Sequence, residues 1–65
     1  MWVQVKSEPN LIIAEMWKEF FEGEGIPTRV LPDRDKKPDS GELASYNIYV
    51  SQEKVHVIEE VLRKL

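Results

Sequence analysis

Cysteine is missing from the chain altogether, and histidine occurs once. The first absence removes disulfides and the usual thiolate zinc clusters, the staples on which very small domains often rely. It fits a reducing compartment, and the cytoplasm is the expected location. The second leaves His56 without a second histidine, a cysteine or a serine-based arrangement to work with, so no catalytic residue, cofactor or metal ligand is expected. Long apolar runs are also lacking: none could span a bilayer, and no basic segment leads into an apolar one at the N-terminus. Positive charge is scarce, with nine Lys and Arg against twelve Asp and Glu and a net charge of −3. That balance works against non-specific nucleic-acid binding, which draws most of its affinity from a concentrated positive field.

What the 65 residues do contain is a hydrophobic rhythm that changes period. A domain of this size, residues 1–65, buries only about 60% of the surface its unfolded chain exposes, so self-association is a natural reinforcement. Met1 to Lys6 alternates, with Val3 and Val5 on one face and Trp2, Gln4 and Lys6 on the other, which predicts a strand starting at the first residue of a domain complete at that end. Ser7-Glu8-Pro9-Asn10 reads as a helix entrance with Ser7 able to cap it. A helix then runs to about Glu24, with Ile12, Ile13, Ala14, Met16, Trp17, Phe20 and Phe21 on one broad arc and Glu15, Lys18, Glu19 and Glu22 opposite. Such an arc suits a helix that lies on a sheet and touches a second helix. Gly23 or Gly25 closes it.

Ile26 to Leu31 is the predicted second strand, with Pro27 marking an edge. Pro32 to Ala44 is a long charged loop, and Tyr46 to Val50 is the third strand. Ser51 caps a second helix whose buried stripe is Val55, Ile58, Val61, Leu62 and Leu65, with Val57 at its margin. Glu59 with Arg63 and Glu60 with Lys64 have the favoured i,i+4 order on its polar side. The order β-α-β-β-α predicts an α+β fold, a ferredoxin-like plait lacking its last strand, with a three-stranded antiparallel sheet of order 1-3-2 and both helices on one face.

That architecture leaves the other sheet face bare, with Trp2, Gln4, Lys6, Arg29, Leu31, Asn47 and Tyr49 assigned to it. It also leaves strand one with an unmatched edge that a second copy or a partner's segment can extend. Aromatics beside cations on a bare sheet are how RNA-recognition modules hold bases, but the acidic balance favours a protein contact or a solvated face. Arg34, Lys36 and Lys37 can meet a phosphate, although no Gly-rich cradle accompanies them. Asp33, Asp35, Asp39 and Glu42 lack the order of a calcium loop, and His56 falls on the polar arc of its helix. The spacing of Trp17, Phe20 and Phe21 points to core filling.

Several stretches occur together: Trp2-Val3-x-Val5, Ala14-Glu15 in mid-helix, Phe20-Phe21-Glu22-Gly23-Glu24-Gly25-Ile26-Pro27 at the helix exit, and Tyr49-Val50 running into Ser51-Gln52-Glu53. Over essentially its whole length the chain resembles a small prokaryotic domain family labelled as signal transducing proteins. That resemblance implies a β-α-β-β-α plait related in shape to PII-type signalling proteins, and marks no catalytic residue. The combined expectation is a non-enzymatic regulatory or protein-interaction module, acting through strand one and the loop after strand two, with a protein partner or a second copy. The alternative is a small-ligand or nucleotide sensor using the bare face with Arg34, Lys36 and Lys37.

Overall fold

A computed structural model describes residues 1–33 and 45–64. Three strands, β1 (Trp2–Glu8), β2 (Thr28–Pro32) and β3 (Tyr46–Ser51), form one antiparallel sheet of order β1-β3-β2. Helix α1 (Leu11–Gly23) links β1 to β2, and a 3₁₀ turn at Gln52–Lys54 leads from β3 into α2 (Val55–Arg63). Ala14 and Phe21 of α1, Ile26, Ile48 and Val50 of the sheet side, and Ile58 of α2 form one buried cluster, so both helices cover the same face. The result is the ferredoxin-like plait without its last strand.

The ends of α1 are set by two short-range motifs. Asn10, not Ser7, is the N-cap: its Oδ1 accepts the Ile13 amide at 2.9 Å, while Ser7 remains inside β1. The strand simply continues through Glu8, and Pro9 cannot extend the ladder as a donor. At the other end the Gly25 amide donates to the Glu22 carbonyl and the Ile26 amide to the Phe21 carbonyl, both at 3.0 Å, the paired bonds of a Schellman stop. The left-handed position falls on Gly25, at φ 83°, and the apolar pair that seals the motif is Phe21 with Ile26, both fully buried. The Phe-Phe-Glu-Gly-Glu-Gly-Ile run therefore ends the helix and aims the chain into the core in one step.

Ile26 is buried but precedes β2, which begins at Thr28. The Thr28 hydroxyl donates to the Ile26 carbonyl at 2.9 Å, which satisfies a buried polar side chain beside Val50 in the register. Beyond β2, the Asp33 amide donates to the Ser45 carbonyl and extends the β2–β3 pairing by one rung.

Candidate interaction surface

The register determines what the uncovered sheet face carries. On β3, Tyr46, Ile48 and Val50 alternate with Asn47 and Tyr49; the buried Ile48 and Val50 face the helices, so Asn47 and Tyr49 face away. Gln4 and Arg29 both lie opposite Tyr49, on its two flanks, and Leu31 lies opposite Asn47. Trp2, two residues before Gln4, completes the set. Arg29 reaches across β3, over a span of about 10 Å between the outer strands, to hold its guanidinium carbon 4.5 Å from the centre of the Trp2 ring. Gln4 donates from Nε2 to Asn47 Oδ1 at 3.4 Å, and Asn47 is only 8% exposed although no helix covers it. Four of the expected surface residues, Trp2, Gln4, Arg29 and Tyr49, are thus brought together.

Lys6 is not among them. The register of β1 against β3 slips between Gln4 and Lys6, a bulge that places one extra residue on β1, so Lys6 pairs with Ile48 and turns toward the helices. There its ammonium sits 4.7 Å from the centre of the Trp17 ring and 3.2 Å from Glu8 Oε2. Simple alternation assigns Lys6 to the wrong face because one inserted residue inverts every later side chain. Arg34, Lys36 and Lys37, with the acidic residues Asp35, Asp39 and Glu42, lie outside the described residues. His56 is exposed on α2, where the ion pair is Arg63 with Glu60 at 3.7 Å, an i,i+3 contact in place of the expected i,i+4 pairs. Among the described residues no group of three or more acidic, histidine or cysteine side chains is placed to hold a metal ion. No helix there is long and apolar enough to cross a membrane.

The larger departure concerns α1. Of the seven apolar residues on its broad arc, only Ala14 and Phe21 are fully buried. Ile12 is 76% exposed and Met16 64%, with Leu11 at the helix start 42% exposed. Trp17 and Phe20 pack on the core only in part, in an aromatic cluster with Phe21 whose ring centres lie 5.6 to 6.0 Å apart. Beside them opens a shallow notch of ≈ 330 Å³ lined by Ile13, Met16, Trp17 and Phe20. An arc of this width suits contact with a second helix as well as the sheet. α2 spans only nine residues, its one fully buried residue is Ile58, and Leu62 of its expected stripe is 37% exposed. The signal was present in the excess width of the arc; its meaning was a flank left exposed at Ile12 and Met16, which no other described element buries.

Comparison of the chain with family models, with curated proteins and with solved structures returns no match.

Proposed function

We propose that this chain is a non-enzymatic protein-interaction or regulatory module, and that another protein docks on the outer flank of α1. The observation that supports this reading is the exposure of Ile12 and Met16 beside the apolar notch at Ile13, Trp17 and Phe20. Exposed apolar side chains scattered singly are ordinary, but a contiguous set on one helix flank marks a contact surface. A regulatory role in the cytoplasm, of the kind implied by the resemblance to prokaryotic signal transducing proteins, is part of the same proposal.

A homodimer through strand one is the other form of this reading, since the outer edge of β1 has no partner strand among the described residues. The β1 bulge and the helix-facing charges of Lys6 and Glu8 oppose it, because bulges and inward charges are how sheets resist edge-to-edge pairing. A nucleotide or small-ligand sensor is favoured by one observation, the Arg29–Trp2 stack on the open face. There, however, the guanidinium already covers the ring on which a base would stack, and the net charge of −3 repels phosphate.

The test is a photo-reactive benzoylphenylalanine at position 12 in living cells. The reading expects a discrete protein adduct that disappears when Met16→Glu is added, while that variant melts like the parent. A diffuse adduct pattern, or one indifferent to Met16→Glu, rejects it. Amide shifts confined to Trp2, Arg29 and Tyr49 on titration with nucleotides or short RNA favour the sensor instead.

A further inference from the structure

We infer that the occupant of the α1 flank is an amphipathic helix whose apolar stripe is bordered by lysine or arginine. This rests on the interaction reading above and adds the chemistry of the partner.

The shape of the flank argues for a helix. Ile12 and Met16 form one i,i+4 row, and Ile13, Trp17 and Phe20 form a second at i, i+4 and i+7. Two such rows enclose a groove about 12 Å long, since eight residues rise about 1.5 Å each. Grooves of this kind receive the apolar ridge of another helix. Met16, unbranched and polarisable, lets the lining adjust to the ridge that enters.

The border argues for the charge. At 100° per residue the polar residues that follow Ile12 and Met16 around the helix are Glu19 and Glu15, with Glu22 beyond them. Both Glu15 and Glu19 are exposed. Between Leu11 and Glu24 there are four glutamates and a single cation, Lys18. On the opposite border Lys6 is engaged with Trp17 and Glu8, so its charge is already matched. The groove is therefore apolar in its floor and negative along its open rim. A helix with basic residues flanking its apolar stripe finds both terms satisfied. A second copy of this chain does not: antiparallel pairing of two α1 flanks sets the Glu15–Glu19 rim of one molecule against that of the other.

Trp17 lines the groove, and in a Trp2→Phe background it is the sole tryptophan, so its emission reports occupancy directly. The probe is a synthetic peptide of about 18 residues with leucine at i, i+3, i+4 and i+7 and lysine on the flanks. Its controls are the same peptide with glutamate for lysine and a scrambled leucine-lysine peptide. The expected result is a blue shift of Trp17 emission with the lysine peptide and roughly tenfold weaker binding of the glutamate peptide. A Glu15→Lys, Glu19→Lys double variant, both changes at exposed positions, then reverses the preference. Equal affinity for the lysine and glutamate peptides, equal affinity for the scramble, or a dimer in sedimentation that Met16→Glu dissociates each overturns the inference. A discrete position-12 adduct without any charge preference rejects only the basic partner and leaves the interaction reading standing. Loss of both adduct and peptide binding rejects the two together.

Discussion

The Lys6 ammonium lies 4.7 Å above the centre of the Trp17 ring, tying the edge strand β1 to the helix that crosses the sheet. This contact exists because the bulge after Gln4 turns Lys6 inward, and Glu8, two residues on, follows it to the same side with an oxygen 3.2 Å from Lys6 Nζ. A cation at a ring face contributes about 0.5–1 kcal/mol at a partly exposed site. Lys6→Ala is expected to lower stability by that order and to red-shift Trp17 emission in a Trp2→Phe background. Unchanged emission and melting temperature would show the contact to be idle.

Gly23 and Gly25 are expected to respond to alanine with opposite signs. A side chain at Gly25 meets no atoms but is forced to φ 83°, so Gly25→Ala costs about 1–2 kcal/mol. Gly23 is helical with open space around its Cα, so Gly23→Ala stabilises by about 0.4–1 kcal/mol. Thermal melts of the two variants decide the matter, and a shared sign refutes the assignment of the left-handed position.

Asn10→Ala is expected to cost about 1 kcal/mol through loss of the cap on the Ile13 amide. Ser7→Ala, at an exposed position in β1, is expected to change stability by less than about 0.5 kcal/mol. Urea titrations of the pair check the boundary between strand and helix, and equal effects would return the cap to Ser7.

Phe21→Ala and Ile58→Ala each remove a fully buried core side chain and are expected to cost about 2–5 kcal/mol, enough to abolish a cooperative melt in so small a domain. Ile12→Ala, at a 76% exposed position, should leave the melt in place. A cooperative transition near wild type for Phe21→Ala would move the centre of the core elsewhere.

The topology was legible in the sequence because each element announces itself within a few residues: alternation in β1 and β3, a wide apolar arc in α1, a stop at Gly23 or Gly25 that the structure resolves to Gly25. The sheet order and the common face of the helices followed from connection length and handedness. Two things were not legible. The bulge leaves no mark in Gln4-Val5-Lys6, which reads as uninterrupted alternation, and so the Lys6 side chain was assigned to the wrong face. The exposure of Ile12 and Met16 depends on how far α2 extends over α1, a tertiary quantity that no periodicity within α1 encodes. Of the candidate site, Trp2, Gln4, Arg29 and Tyr49 were recoverable because parity holds on their stretches of strand, whereas the notch at Ile13 and Trp17 needed the packed structure.

The irregularity in β1 makes the ribbon two half-strands with separate obligations. Trp2 and Gln4 answer to the solvent side and to Arg29 and Asn47, whereas Lys6 and Glu8 answer to the helix above them. Changes in the first half can therefore retune the outward chemistry of the domain while the anchoring of α1 stays untouched, a division of labour within seven residues that a regular strand does not offer.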